Sequence, residues 1–519
     1  MIFLRLNIIK RVKKKEEKAV KQNQQQQPPS PDTSQLLNIE NIKNLLGNSE
    51  DIKYRDILIN NNTALPVTLI LIDGLVNVAD VSNCIVKPLM QDNKIREAQN
   101  LDEVIKLVKE GSLYFASQTI TTDMQEAIDE VLSGSALLVF SEQKTAFIFD
   151  TKGFDKRSMI EPAVENVTKG PKDSFIENYR TNTATIRRKI RTQDLVIENI
   201  ILGKQTHTPV AIIFIKSIAN DEILKLVRER INTINTDSIL STSVIEDALS
   251  DDKKCTFPQI VSTERPDKFC SDIIEGRVGL IVGGLPFGFI VPGTFVQFIQ
   301  NPEDYSHNAI VSSTIRLIRF LALFISITLP ALYIAITTFH PEMIPTNLAL
   351  FIAKSREGVT FPVAIETIGL LISFEILYEA GLRVPKTVGQ AVSIVGTLVV
   401  GQAAVEAQLV SPAVVVVVAM TSISSFTMPN QDFNNTIRMW RFVFALTSTV
   451  MGLVGFVITV ILFTFKLCKL QSFGVAYMSP FVSNEGNDII NDTILMIPHR
   501  DNKFRPSSLK PKNAKRQGD

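Results

Sequence analysis

Carboxyl, amide and hydroxyl groups occur within the most apolar part of the chain, where they are its best candidates for chemistry. Within the segment TVGQAVSIVGTLVVGQAAVEAQ, residues 387–408, the candidates are Gln390, Ser393, Thr397, Gln402 and Glu406. A carboxylate at membrane depth usually faces water, an ion or a charged partner, because hydrocarbon does not solvate it. We therefore hypothesise that these residues line a pore or ion pathway. For the amides and hydroxyls, hydrogen bonding between neighbouring helices is the alternative.

Three more carboxylates interrupt a second apolar segment, FPVAIETIGLLISFEILYEAGL, residues 361–382: Glu366, Glu375 and Glu379. Unpaired at mid-helix depth in a bilayer, each would cost roughly 3 kcal/mol on an insertion scale. We expect this segment to be a re-entrant or interfacial element packed on protein, with intramembrane or interfacial carboxylates. Hydroxyls follow in residues 421–430, TSISSFTMPN, where they either line a pore mouth or bond back to their own helix.

No catalytic or cofactor-binding motif accompanies these groups. The four histidines and four cysteines form no HExxH and no paired metal-ligand spacing, and neither a P-loop nor a GxGxxG occurs. The sequence therefore predicts no enzyme, no metal site and no cofactor. The net charge of +1 and the lack of an aromatic-studded basic stripe argue against nucleic-acid binding. The run IRRKIR, residues 186–191, indicates a solvated helix face, with contact to lipid headgroups or a partner as the alternative.

The elements that would position these groups include four apolar segments predicted to cross a membrane: residues 317–339, 387–408, 411–428 and 437–465. Pro330 lies in the middle of the first segment, where it should kink the helix and leave one backbone carbonyl without its usual donor. Arginines before the first segment and lysines after the last place both ends in the cytoplasm under the positive-inside rule. The number of crossings should then be even, and four satisfy this if residues 361–382 are not a full span.

The part of the chain before about residue 301 has the strand and helix patterns of an α/β fold. The fold class that we predict is a two-lobed α/β soluble N-terminal domain plus an α-helical polytopic membrane domain. The predicted domains are a disordered basic and Gln/Pro tail (1–35), lobe 1 (36–165), lobe 2 (166–275), a membrane-proximal strand–turn–strand with a short helix (276–312), a multi-pass membrane domain (313–470) and a cytoplasmic tail (471–519).

Several sequence runs resemble one known family. They are TERPDK (263–268), EGRV (275–278), PEDY (302–305), RLIRFLALFISITLPALYIAITTFHPEMIPT (316–346), REGVTFP (356–362) and FEILYEAGLRVPKTVGQAVSIVGTLVVGQAAVEAQLVSPAVVVVVA (374–419). On these runs the chain resembles the A subunits of the GerA-type nutrient germinant receptors of endospore-forming bacteria. It departs from that pattern at Lys169, where arginine is expected before Gly-Pro, and at Gly283-Gly284, where Asp-Gly is usual.

The resemblance implies a subunit of a nutrient-sensing receptor complex in the spore inner membrane, with the N-terminal domain on the cytoplasmic, spore-core side. It implies a transporter-like B subunit and a lipoprotein C subunit as partners, and self-association into a ring of A subunits. The expected role is the ion-conducting or signal-transducing part that triggers germination. The alternatives are a scaffold subunit without a pore and a transporter component.

Overall fold

The fold is that of a computed structural model, which describes residues 37–47, 49–59, 65–153, 162, 165–383, 401–482, 492–498 and 500–516. The chain divides into two compact units. The α/β unit comprises Met1–Ser250, Ile260–Pro292 and Asn502–Asp519, and the helical unit comprises Asp251–Gln259 and Gly293–Asp501. The prediction of an α/β N-terminal part followed by an α-helical part is thereby confirmed.

The first lobe of the α/β unit is a five-stranded antiparallel sheet of order β1-β2-β4-β5-β3. Its strands are β1 (Ile52–Leu58), β2 (Pro66–Ile72), β3 (Gln118–Thr121), β4 (Ala136–Phe140) and β5 (Thr145–Phe149). Its helices are α1 (Ile39–Leu46), α2 (Val78–Asp80), a π-helical turn (Val81–Val86), α3 (Lys87–Gln91), α4 (Asn93–Glu97), α5 (Leu101–Lys109) and α6 (Met124–Leu132). Apolar residues on both faces of the sheet are buried under these helices, so its central strands are apolar throughout.

The second lobe repeats the topology of the first. Its antiparallel sheet has the order β6-β7-β9-β10-β8, which is the same order when each sheet is numbered from its own first strand. Its strands are β6 (Leu195–Leu202), β7 (Thr208–Ile215), β8 (Val261–Thr263), β9 (Val278–Val282) and β10 (Gly288–Val291). Its helices are α7 (Tyr179–Lys189), α8 (Asp221–Asn232), α9 (Thr242–Leu249) and α10 (Pro266–Ile274). The strand–turn–strand predicted within residues 276–312 is present as β9 and β10. These strands complete the second sheet and are not a separate membrane-proximal segment, so the lobe extends to Pro292.

The two lobes are joined by a buried ion pair. The guanidinium of Arg187 on α7 donates from Nε and Nη2 to the two carboxylate oxygens of Asp51, at 2.8 and 2.9 Å. It also donates to Ser49 Oγ at 2.9 Å and to the Leu195 carbonyl at 3.0 Å. Its side chain is fully buried. The expectation that the IRRKIR run is a solvated helix face is therefore wrong for Arg187.

A second set of polar contacts joins the segment between the two lobes to the TERPDK run of the second lobe. Lys268 and Thr263 of the TERPDK run bind the carboxylate of Glu165, and the Glu264 amide donates to it at 3.2 Å. Arg265 is almost fully buried and donates to the Pro171 carbonyl at 2.9 Å. The TERPDK run therefore contacts the segment from Glu165 to Pro171, although the two are about 100 residues apart in the sequence.

The described part of the helical unit contains α11 (Phe295–Ile299), α12 (Ala309–Phe339), α13 (Thr346–Ser355), α14 (Val363–Arg383), α15 (Pro412–Ser425), α16 (Gln431–Lys469), a hairpin of β11 (Gln471–Ser472) and β12 (Val475–Ala476), and 3-10 turns at Pro302–Ser306 and Pro341–Met343. A further 3-10 turn, Ser507–Leu509, lies in the C-terminal part of the α/β unit. Two described helices, α12 and α16, are long and apolar enough to cross a membrane.

Helix α16 reverses direction at Gly452, whose φ of 58° is non-helical. Residues on its two arms pair symmetrically about this point: Thr447 with Thr459 at 2.7 Å, and the rings of Phe444 and Phe463 at 5.8 Å. A straight helix would hold residues 447 and 459 about 18 Å apart, since each residue rises about 1.5 Å. The segment predicted as one crossing over residues 437–465 is therefore two antiparallel helices. A side chain at position 452 would meet Phe339 of α12.

The helices share two ends, which we name the Asp304 end and the Gly452 end. At the Asp304 end, Arg319 binds both oxygens of Asp304 at 2.9 and 3.1 Å, and Arg316 bridges Asp304 and Asp492 at 3.2 and 2.9 Å. Arg316 and Arg319, the arginines counted above under the positive-inside rule, are buried in these ion pairs. At the Gly452 end, Phe339 contacts Gly452, and the first residues of α14, Val363 and Ala364, pack with Ile334 of α12 and Ala445 of α16. The beginning of α15 is joined to α14 there through the hydrogen bond between the Ser411 amide and Glu366.

We predict that Arg187→Met lowers the free energy of unfolding of the α/β unit by about 3–5 kcal/mol, because it leaves the Asp51 carboxylate buried without its cation. The measurement is the urea midpoint of the full chain in detergent, by pulse proteolysis. The control is Arg180→Met, whose pair with Asp73 is largely exposed and should be worth less than about 1 kcal/mol. Equal midpoints for the two variants would contradict the prediction.

We predict that the contribution of Glu165 depends on pH. Burial alone would raise the pKa of its carboxyl, but the charge of Lys268 and the hydrogen bonds from Thr263, Lys268 and the Glu264 amide lower it below the ordinary 4.5. A carboxyl with a lowered folded-state pKa stabilises the fold above its unfolded-state pKa, and this is lost as the pH falls through the folded-state value.

The urea midpoint of Glu165→Gln should therefore lie below that of the wild type at neutral pH. The difference should shrink as the pH is lowered from about 6 to about 3. Glu142→Gln, at an exposed position, is the control and should show a small difference that does not change with pH. A constant difference for Glu165→Gln would rule out the assigned role of this carboxylate.

Candidate functional site

Glu366 lies on the first turn of α14 and is buried, with 2% of its surface exposed. It accepts hydrogen bonds from Arg356 Nη2 at 3.3 Å and from the Ser411 amide at 2.8 Å. Ser411 is the residue before α15, so the carboxylate also meets the positive end of that helix dipole. These contacts hold Glu366 as a cross-link between α14 and α15 at the Gly452 end.

Glu375 lies further along α14 and pairs with Arg438 of α16. Arg438 donates to both of its carboxylate oxygens, from Nε at 3.2 Å and from Nη2. The guanidinium also stacks on the ring of Tyr378, 3.9 Å from the centroid, and the Tyr378 hydroxyl accepts from Gln431 at 2.6 Å. Because residue numbers rise along α14 as they fall along α16, the two helices are antiparallel here.

Glu379 is exposed and pairs with Arg383 one turn later, at 2.7 and 3.1 Å. Together with Glu375 it borders a cavity of about 300 Å³ in the helical unit. The residues that line this cavity are Glu375, Glu379, Leu382, Gln431, Asn435, Arg438, Met439 and Phe442. Each of the three predicted carboxylates thus has an arginine partner. None of these partners was expected from the sequence. Only the Glu379–Arg383 pair could have been found from the sequence, by its spacing of four residues.

Of the five residues predicted to line a pathway, two lie within the described part of the chain. Gln390, Ser393 and Thr397 lie outside the described residues. Gln402 and Glu406 lie on one face of a helical segment, residues 401–406, and both are exposed or partly exposed at its surface. Gln402 Nε2 donates to Glu406 Oε1 at 3.0 Å. The segment ends near the Gly452 end, where the Thr360 amide donates to the Gln408 carbonyl at 3.3 Å.

Several hydroxyls of residues 421–427 bond within their own helix or to the next one. Thr421 donates to the Val417 carbonyl at 2.7 Å, and Thr427 to the Ser424 carbonyl at 2.8 Å. Ser425 donates to Asn434 Oδ1 at 2.7 Å. Of the two alternatives for this run, these three contacts favour hydrogen bonding between and within helices.

Pro330 lies inside α12, which extends from Ala309 to Phe339. The carbonyl that loses its donor to a proline is four residues earlier, at Ser326. Arg441 Nε on α16 donates to that carbonyl at 2.8 Å, and Arg441 Nη2 donates to Ser326 Oγ at 2.8 Å. The sequence analysis predicted a carbonyl in need of a partner. It missed Arg441, which lies within a segment treated as purely apolar.

We predict that Glu366→Gln lowers the free energy of unfolding of the helical unit by about 1–3 kcal/mol, and with it the temperature at which the unit unfolds. The reason is that a neutral amide weakens the hydrogen bonds to Arg356 and the Ser411 amide. Glu379→Gln is the matched control on the same helix, because an exposed pair four residues apart is worth only about 0.3–0.5 kcal/mol. The measurement is the fraction of detergent-purified chain that stays monodisperse after heating. The prediction fails if both variants lose monodispersity at the same temperature.

Comparison with known proteins places the chain in a family. The profile of the family described as Bacillus/Clostridium GerA spore germination protein matches residues 40–508. The chain is 38% identical over 483 residues to "Spore germination protein KA" of Bacillus subtilis (strain 168), covering 93% of this chain and 88% of that protein. It is 35% identical over 481 residues to "Spore germination protein B1" of the same strain, covering 92% and 98%.

A solved structure also matches: the crystal structure of the N-terminal domain of the A subunit of the Bacillus megaterium spore germinant receptor GerK3. It is 30% identical and covers 51% of this chain and 99% of that one, with a TM-score of 0.39. The family resemblance drawn from the sequence runs is confirmed by the profile and by the two full-length relatives. The chain belongs to the Bacillus/Clostridium GerA family of spore germination proteins.

Proposed function

We propose that this chain is the A-type subunit of a spore germinant receptor, and that its helical unit forms part of an ion pathway between copies of the chain. The observation that carries the proposal is the pair Gln402–Glu406, which is exposed at the surface of the helical unit within a segment that is otherwise mostly apolar. Within the described residues its hydrogen bond is internal to the pair, whereas Glu366 and Glu375 are each held by an arginine from another element.

A polar pair of this kind is expensive against acyl chains. A carboxylate at membrane depth costs roughly 3 kcal/mol on an insertion scale when no partner or water reaches it. Water held between neighbouring copies would solvate both side chains and would also provide a route for ions. Gln390, Ser393 and Thr397 belong to the same proposed pathway and extend it along residues 387–408.

The directions of the described helices support six crossings rather than four. Helix α12 leads from the Asp304 end to the Gly452 end, α14 and α15 lead back, and the two arms of α16 add a pair. Arg383 lies near the Asp304 end, and the next described segment reaches the Gly452 end at Gln408, so we propose one more crossing between these two points. Six is even, as the charge pattern requires, and it keeps Arg383 on the same side as Lys466 and Lys469.

The family supports the remaining assignments. The A subunit would work beside a transporter-like B subunit and a lipoprotein C subunit, in a ring of A subunits within the spore inner membrane. The α/β unit would lie on the cytoplasmic, spore-core side. Nutrient binding elsewhere in the complex would then be transmitted to the helical unit, which releases ions or passes on the signal.

A scaffold subunit without a pore is the second candidate. The observation in its favour is that Glu366, Glu375 and Asp304 are all satisfied by arginines of the same chain, so these parts of the bundle need no water. Liposomes containing the purified chain separate the two candidates. A pathway predicts leak of monovalent cations that depends on residue 406, and a scaffold predicts none.

We predict that Glu406→Gln slows cation release by about fivefold, because a unit charge about 4 Å from a passing ion is worth about 1 kcal/mol in water. The measurement is potassium and sodium release from spores that express this chain with its partner subunits, triggered by a mixture of amino acids, sugars and nucleosides. The amount of receptor is determined in the same spores by immunoblot.

The matched control is Glu357→Gln, an exposed carboxylate beside Gly358 at the same end of the bundle. It should leave release and abundance unchanged. Loss of receptor together with normal release per remaining receptor would show that Glu406 is structural, and the pathway would have to be abandoned.

A further inference from the structure

We propose that Arg441 is a positioning residue that latches the proline-interrupted helix α12 onto the first arm of α16, and that this latch sets how readily the helical unit leaves its resting state. The latch consists of Pro330, Ser326 and Arg441. It rests on the proposed function, since it concerns the control of the same bundle, and Arg441 was not among the residues expected from the sequence.

The first step is the backbone gap in α12. Pro330 has no N–H, so the Ser326 carbonyl cannot make the hydrogen bond that a carbonyl in the middle of a helix ordinarily makes. In a bundle closed to water this carbonyl needs another donor, because an unsatisfied backbone group there is costly. Ser326 is fully buried, so the donor has to come from a packed neighbour.

The second step is that a guanidinium supplies the donor. Arg441 Nε lies 2.8 Å from the Ser326 carbonyl oxygen, and Nη2 lies 2.8 Å from Ser326 Oγ. Arg441 is 4% exposed. The two N–H groups of one planar side chain thus engage two acceptors of one residue, which fixes the angle and distance between the helices.

The third step is that the positive charge of Arg441 also depends on its contact with α12. Within the residues that the structure describes, no carboxylate forms an ion pair with Arg441. One turn earlier, Arg438 is paired with Glu375. Arg441 is therefore hydrogen-bonded by the neutral oxygens of Ser326, and the Glu375 carboxylate of the neighbouring pair attracts its charge without a direct ion pair. If α12 and α16 separated at this level, both the carbonyl and the cation would lose their partners at once, and each loss is costly where water is excluded.

The fourth step is the location of the latch on α12. The same helix is held at its beginning by the bonds of Arg316 and Arg319 to Asp304, and it meets Gly452 of α16 at its last residue, Phe339. The latch lies between these two fixed points, where the proline interrupts the backbone hydrogen bonding of α12. Arg441 thus holds α12 beside Pro330 in the resting arrangement, and the angle of the helix at the proline would change most easily when that contact breaks.

The test is a double-mutant cycle on the full receptor in spores. Arg441→Met should loosen the resting state, so that cation release without nutrient rises by about tenfold, the factor that one hydrogen bond to a charged group typically represents. Pro330→Ala restores an N–H for the Ser326 carbonyl. In that background Arg441→Met should have a clearly smaller effect. Arg441→Lys should restore part of the wild-type behaviour, because it keeps the charge and one donor.

Thr449→Val is the matched control on the same helix, since the Thr449 hydroxyl donates to the Ala445 carbonyl within α16 and not to α12. Its effect should be equal in the two backgrounds. If Arg441→Met does not accumulate, Ser326→Ala replaces it in the cycle, because it removes the hydroxyl acceptor alone and should shift release in the same direction by a smaller factor. Receptor abundance is matched by immunoblot for every variant.

Equal effects of Arg441→Met in the wild-type and Pro330→Ala backgrounds would overturn the latch. The two substitutions could instead be coupled only in thermal stability, while cation release stays unchanged both with and without the nutrient mixture. That result would overturn the positioning role of Arg441. Failure of the ion pathway gives a different result. In that case liposomes show no leak for any variant, while the cycle still shifts spontaneous and nutrient-triggered germination of whole spores.

Discussion

A charge removed from water must be met by a partner inside the protein, and in this chain several of these partners come from far along the sequence. Arg187 meets Asp51 across 136 residues, Arg316 meets Asp492 across 176, and Arg438 meets Glu375 across 63. Loss of either member leaves the other buried, which costs more than the pair contributes when intact. The ion pairs therefore bind remote segments into units that fold and fail together.

The same constraint explains what the sequence could and could not reveal. Strand pairs such as Ala136–Phe140 with Thr145–Phe149 were recognisable because the apolar runs and the turn between them are local. The burial of Arg187 was not recognisable, since nothing near IRRKIR shows that its partner Asp51 lies in the other lobe. Likewise, the carboxylates of residues 361–382 looked costly because Arg356 and Arg438 belong to other elements.

Hydropathy measures apolar content and not what the residues pack against, which explains two errors of placement. The strands Val278–Val282 and Gly288–Val291 were expected as strands, but their apolar composition led to a membrane-proximal assignment, whereas they are buried in the second sheet. The repeated strand order of the two lobes places them there. Residues 437–465 are apolar on both sides of Gly452, so their hydropathy does not reveal that the helix reverses direction there. The reversal depends on one glycine with positive φ.

The distribution of satisfied and unsatisfied polar groups also bears on where copies of the chain could meet. Surfaces around Glu366 and Glu375 are already neutralised by arginines, and apposing another copy there would add little. In the described part of the chain, the face that carries Gln402 and Glu406 has polar groups paired only with each other, beside the exposed apolar side chain of Leu409. A second copy or water on this face would solvate a carboxylate, and a second copy would also cover the apolar surface beside it. This is the face on which the proposed pathway between copies depends. The latch between Ser326 and Arg441 lies on another pair of helices, α12 and α16, where it can influence that face only by moving whole helices.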